Sequence, residues 1–155
     1  MAKIEILDIS KDPILRQQMF MALMERIPKH VKTLRRLYEN GGDNQINTLC
    51  LANSEIAGGT IGGHLTSEVS YWNFIFVEPE YRRQGTGRKL MQDFESRVQG
   101  AGRTRIECEI EDAQVLRWFM EHGYRIADMC VKDSQDPRIK IRLQRQHQLS
   151  VYKNL

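Results

Sequence analysis

Cysteine is scarce in this sequence: Cys50, Cys108 and Cys130 are the only three in 155 residues, odd in number and far apart. That spacing offers no disulfide framework, and free thiols in a reducing compartment are expected. Histidine is nearly as scarce. His30, His64, His122 and His147 hold no metal-ligand spacing with one another or with the cysteines, so no metal is expected. No apolar run approaches the length of a membrane-spanning helix, and Met1 to Glu5 lack the apolar stretch of a signal peptide. The expectations are a cytoplasmic location and no membrane partner. Internal repeats and low-complexity linkers are missing as well. The 155 residues are expected to form one domain over 1–155. A hydrophobic share of 41% suffices for a core without metals or disulfides. The net charge of +3 demands no polyanionic partner, yet it suits a ligand carrying phosphates.

What is present alternates between two periods. Lys3 to Asp8 alternates as a first strand, and Asp12-Pro13 opens a helix with a capping carboxylate and a proline at the first position. Ile14, Leu15, Met19, Leu23, Met24 and Ile27 recur at helical spacing until Pro28 interrupts. A second helix continues through Val31, Leu34 and Leu37 and ends at Asn40-Gly41-Gly42. Strands are expected at Ile46–Ala52 and, after a turn at Asn53-Ser54-Glu55, at Ile56–Leu65, where four glycines allow a bulge or close backbone approach. Ser70 to Val77 is the most β-like stretch. Strict alternation puts Tyr71, Asn73, Ile75 and Val77 on one face and Trp72, Phe74 and Phe76 on the other, so the strand should be central and covered on both sides. A helix over Gly85–Gln99, a strand at Arg105–Ile110, a helix capped by Asp112 and a hairpin of Tyr124–Val131 with Ile139–Leu143 complete the order. Gln144 to Leu155 reads as a polar, weakly patterned tail, flexible or packed on a partner. The fold class is therefore mixed α/β. About seven strands form a mostly antiparallel sheet, with about four helices, in the order β-αα-βββ-α-β-α-ββ. The pair 70–77 and 105–110, joined through a helix, is parallel.

The chemistry concentrates where the buried strand ends and the third helix begins, at Glu78-Pro79-Glu80-Tyr81-Arg82-Arg83-Gln84-Gly85-Thr86-Gly87-Arg88-Lys89. A helix N-terminus carries unpaired N–H groups and about half a positive charge. Gly85 and Gly87 leave room for an anion against the main chain, and Arg82, Arg83, Arg88 and Lys89 add positive potential. The segment lacks the Gly-Lys-Ser/Thr ending of a Walker loop and the third glycine of a dinucleotide fingerprint. Taken alone, its glycines fit a diphosphate cradle or simply a softened turn flanked by solvated cations.

The wider segment resembles motif A of the GNAT superfamily of N-acetyltransferases, Gln/Arg-x-x-Gly-x-Gly/Ala, with Arg82, Gly85 and Gly87 at its defining positions. The lead-in Val-x-Pro-x-Tyr-Arg is present as Val77 to Arg82. Asp112 to Tyr124 is similar to that family's Asn-x-x-Ala-x-x-Phe-Tyr-x-x-x-Gly-Phe segment, with Trp118-Phe119 and Gly123-Tyr124 in place. The resemblance implies a GNAT fold and acetyl-CoA as cosubstrate. It implies pantetheine against the main chain of Ile75, Phe76 and Val77, and pyrophosphate on the amides of Arg83, Gln84, Gly85, Thr86, Gly87 and Arg88. The Val77 N–H would then donate to the thioester carbonyl.

Two positions depart from the pattern. Asp112 stands where the family has an Asn near the pantetheine. Phe119 stands where many members carry a Tyr whose hydroxyl protonates the departing thiolate. Phe119 is therefore core, or the acid is another group such as Tyr124, Tyr81 or water. Thiols ionise near pH 8.5, so a thiolate leaves tolerably without help. For the general base the candidates are Glu109, which shares a strand face with Glu107, and Tyr71, at the place where some members carry a Glu. His64 and His122 read as structural or exposed, and Cys108 as a buried thiol, with a role as acyl carrier the minor alternative.

The leading expectation is acetyl transfer from acetyl-CoA to a primary amine, on a small molecule or a peptide, by direct attack. The alternative is an acyl-CoA-binding sensor that has lost the chemistry. Homodimerisation is compatible with the sequence. Arg138, Lys140, Arg142 and Arg145 read as a solvated face, with nucleic-acid contact the minor alternative.

Overall fold

The computed structural model describes residues 2–126 and 149–155. The elements are β1 (Ile4–Asp8), α1 (Pro13–Arg26), α2 (Val31–Glu39), β2 (Gln45–Ala52), β3 (Glu55–His64), β4 (Val69–Val77), α3 (Thr86–Gly100), β5 (Arg105–Ile110), α4 (Ala113–Glu121), β6 (Arg125–Ile126) and β7 (Leu149–Asn154). The strands form one sheet in the order β1-β2-β3-β4-β5-β7-β6, antiparallel throughout except for the β4–β5 pair. The mixed α/β class and the expected element order are those observed.

Local chemistry sets the boundaries. Asp12 accepts from the Ile14 and Leu15 N–H groups, and Pro13 occupies the first position of α1. The β2–β3 hairpin turns through Asn53 and Ser54, both at positive φ (50° and 70°), the handedness that two-residue hairpins favour. The crowded glycines of β3 admit side chains from α3. At Gly62 a Cβ would stand 2.5 Å from the Phe94 ring, and at Gly58 it would stand 3.2 Å from Leu90. Phe94 in turn stacks on Trp72 of β4, with centroids 3.9 Å apart. Burying side chains of this size contributes roughly 1.5–3 kcal/mol each.

Helices α1 and α2 cover one sheet face with Met19, Phe20, Leu23 and Leu34; α3 and α4 cover the other with Leu90, Met91, Phe94 and Phe119. Strand β4 lies in the middle of the sheet, as expected, but it is not fully covered. Residues Asn73 to Val77 remain half-buried, because β5 leaves them.

Two expectations need correction. The first concerns the faces of β4. Its pairing with β3 runs Ile61↔Phe74 and then Gly62↔Trp72, so Asn73 is an extra, bulged residue. A bulge advances the strand by one residue and reverses every later side chain. Trp72 therefore shares the α3 face with Ile75 and Val77, whereas Tyr71, Phe74 and Phe76 face α1 and α2. The second concerns the C-terminus. Leu149–Asn154 is no loose tail: it forms β7, paired with β5 over six positions, with Val151 fully buried. The expected strand at Ile139–Leu143, the basic series Arg138 to Arg145 and the first part of the supposed tail lie outside the described residues. No helix among the described residues is long and apolar enough to cross a membrane.

Candidate active site

Parallel β4 and β5 stay paired only from Val69↔Arg105 to Trp72↔Cys108. Beyond that point both strands continue, β4 to Val77 and β5 to Ile110, without pairing to each other. The bulge at Asn73, which kinks and twists its strand, sits at the point of divergence. The Glu78 N–H donates to Ala57 O of β3 at 2.8 Å. Donors alternate sides along an antiparallel strand, so the Val77 and Ile75 N–H groups point away from β3, toward the gap. The Val77 carbonyl, on that same side, accepts from Arg82 Nε at 2.9 Å. Arg82 is thus folded back onto the strand end.

The segment after β4 is neither strand nor continuous helix. A short 3-10 turn spans Pro79–Tyr81, Arg83 takes φ 61°, and Gly85 caps α3 at φ 81°. No side chain among the described residues caps this helix. The first amide to find a helical partner is Lys89, which donates to Gly85 O at 3.0 Å. The N–H groups of Thr86, Gly87 and Arg88 are therefore left pointing out of the helix end. Thr86 is 2% exposed, and its hydroxyl oxygen is buried without a hydrogen-bond partner among the described residues. A Cβ at Gly85 would meet nothing within 4 Å, whereas Gly87 backs onto Trp118 and Val77. Arg82, Arg83, Arg88 and Lys89 are exposed around this loop. An open main-chain cradle rimmed by four cations suits an anion.

On the α1/α2 side the splay opens into a cleft of about 670 Å³. Its lining includes Tyr71, Asn73 and Phe74 from β4, Glu107, Cys108 and Glu109 from β5, Ser150 and Val151 from β7, and His30 and Thr33 from the helical side. Glu109 is exposed, one residue beyond the last β5 position paired with β4. Glu107 pairs with Arg105 at 3.0 Å. Tyr71 lines the cleft, but its hydroxyl lies against Gly63, 3.1 Å from where a Cβ would be. Burial, with Glu109 beside it, pushes the Cys108 thiol up to about 12, which disfavours the thiolate that an acyl carrier needs.

Asp112 caps α4, its carboxylate accepting from the Gln114 (2.7 Å) and Val115 (3.1 Å) N–H groups. Phe119 is 1% exposed and packs edge-on to Trp72, Trp118 and Tyr124. That is its core reading, and little of its surface is left for a ligand. Tyr124 is withdrawn from the cleft as well. Its hydroxyl, 2.9 Å from Trp72 Nε1, is buried near Glu95, and burial raises its pKa far above the phenolic range. It is thereby removed from the candidate acids. Sequence reasoning did not single out His30 or Asn73 as site residues. Asn73 had left a trace, as the sole amide in a largely apolar strand; a lone histidine two residues past a proline leaves none.

A family model described as an acetyltransferase (GNAT) domain matches residues 44–126, more than half of the chain. The chain belongs to the GNAT acetyltransferase family. Among solved structures, an aminoglycoside 6'-N-acetyltransferase complexed with coenzyme A superposes with a TM-score of 0.73 at 13% identity, covering 97% of this chain and 96% of its own. Ard1 from Thermoplasma volcanium gives 0.70 at 13% identity, covering 98% and 97%. The PaiA N-acetyltransferase from Thermoplasma acidophilum, in complex with coenzyme A, gives 0.64 at 14% identity, covering 99% of each chain. At these identities the likeness is one of fold. No curated protein matches the chain.

Proposed function

We propose that the protein transfers an acetyl group from acetyl-CoA to a primary amine by direct attack. The observation that carries this reading is the divergence of β4 from β5 directly before an uncapped, glycine-bearing helix N-terminus. The two features meet at Val77, as a coenzyme with a diphosphate at one end and an amide-bearing arm at the other requires. Neighbours of the same fold solved with coenzyme A support it.

In this reading the main chain of Arg83, Gln84, Gly85, Thr86, Gly87 and Arg88 holds the pyrophosphate. The helix end supplies positive potential at no reorganisation cost. The unpaired edge of Ile75, Phe76 and Val77 holds the arm as an added strand would. The Val77 N–H stabilises negative charge developing on the carbonyl oxygen. Asp112 and Phe119 act through the placement of α4 against this edge. The acceptor enters from the α1/α2 side. Glu109, on the stretch of β5 that β4 has left, meets its ammonium, while Tyr71 shapes the wall. The acid that Phe119 lacks is dispensable, because general acid catalysis contributes typically 10²–10⁴-fold rather than the whole acceleration.

The test is thiol release from acetyl-CoA across a panel of small-molecule and peptide amines. Amine-dependent release with an acetylated product is expected. Tight coenzyme binding with no release on any amine would instead favour the sensor reading.

A further inference from the structure

We infer that His30, in the turn between α1 and α2, takes a proton from the acceptor nitrogen; the inference rests on the acetyl-transfer reading above. Pro28 ends α1 and opens a single 3-10 turn over Pro28–His30, fixed by the His30 N–H donating to Ile27 O at 3.0 Å. This turn carries the imidazole across the sheet face, where it meets Phe74 edge-on at 5.5 Å between centroids. Phe74 directly follows the bulge at Asn73, where β4 and β5 part. His30 therefore stands on the helical wall of the cleft, and Glu109 lies on its strand wall.

The chemistry calls for a group there. An amine bound as ammonium loses one proton before attack and a second as the C–N bond forms. The nitrogen lone pair makes the new bond, the C–S bond breaks, and its electron pair leaves on sulfur. One of the two protons ends on that thiolate and the other in solvent. Of the groups that could handle them, Glu107 is engaged by Arg105, and the Tyr71 hydroxyl is turned against Gly63. The Tyr124 hydroxyl is sealed beneath Trp72. Glu109, a carboxylate, suits holding the ammonium. Imidazole is the side chain that exchanges a proton near neutral pH, the property a general base needs. The titratable groups sharing the cleft with it are Tyr71, Glu107, Cys108, Glu109 and Glu111.

The experiment compares the unsubstituted protein with His30→Gln, His30→Ala and Glu109→Gln, using acetyl-CoA and a panel of alkylamines, polyamines, amino sugars and short peptides. In His30→Gln, kcat is expected to fall about 10²-fold, with coenzyme affinity and melting temperature unchanged. The acid limb of its pH profile should vanish, and added imidazole should restore part of the rate in His30→Ala. Glu109→Gln should mainly raise KM for the amine. A His30→Gln protein that keeps kcat and the pH profile within twofold overturns the inference alone. So does a loss of rate that tracks a lowered melting temperature and resists imidazole, which would make His30 a packing partner of Phe74. An unsubstituted protein inert toward the whole panel overturns both readings.

Discussion

Gly85 holds φ 81° at the mouth of α3, a conformation that costs an L-residue roughly 1–2 kcal/mol, and a methyl group there would protrude into open space against the bare amides. Gly85→Ala should therefore weaken coenzyme A binding about tenfold or more by calorimetry while leaving the fold intact. An unchanged affinity would remove the cradle. Phe119→Tyr adds a hydroxyl to a ring that is 1% exposed and enclosed by three aromatics. Burying an unpaired polar group costs about 1–3 kcal/mol, so denaturant unfolding should reveal a less stable protein with no gain in turnover.

Glu78, 3% exposed, is paired with Arg26 at the end of α1. Arg26→Ala strands a buried carboxylate and should cost roughly 1–3 kcal/mol, more than Glu78→Gln, which removes the charge itself. The reverse order would deny the pair its role in fastening α1 to the end of β4. The glycine loop could be read at this scale because glycines next to cations at a strand–helix junction are a local signal. His30 could not: its position depends on a turn and on Phe74, residues 44 positions apart in the chain.

Elements were legible wherever a period was clean. The amphipathic stripe of α3 and the capping residues Asp12 and Asp112 set boundaries within a residue or two of those observed. The bulge at Asn73 escaped notice because both faces of β4 are apolar, so alternation gives no sign of an inserted residue. Strand β7 escaped because its polar residues, Ser150, Lys153 and Asn154, look in sequence like those of a solvated tail, whereas pairing with β5 places Val151 in the core and Lys153 against Glu95. This placement makes the C-terminus structural. Removing residues 149–155 strips β5 of its six-position partner and should abolish cooperative unfolding by circular dichroism. A truncated protein that melts like the full chain would contradict the observed strand order.

At the scale of the whole molecule, the sheet holds together at one end and parts at the other, and stability and function separate along it. His64 lies near the joined end, its Nδ1 2.8 Å from Ser70 Oγ, and burial, assisted by Arg103, lowers its pKa below the usual imidazole value. The unfolded chain then binds a proton more readily than the native one. Stability is full above about pH 6.5 and falls as pH drops from there through the folded pKa. The melting temperature should decline between pH 7.5 and 5.5, and less so in His64→Gln; an equal decline in both would place the titration elsewhere.

At the parted end, the edge of Ile75–Val77 that β5 leaves adjoins the start of α3, where Gly87 backs onto Val77, and the proposed coenzyme surface runs along both. An amide-resolved NMR titration with coenzyme A reads that surface directly. Saturable shifts centred on residues 75–77 and 83–88 are expected, fading toward β1 and β2. Shifts clustered anywhere else, or none at millimolar coenzyme, would contradict it.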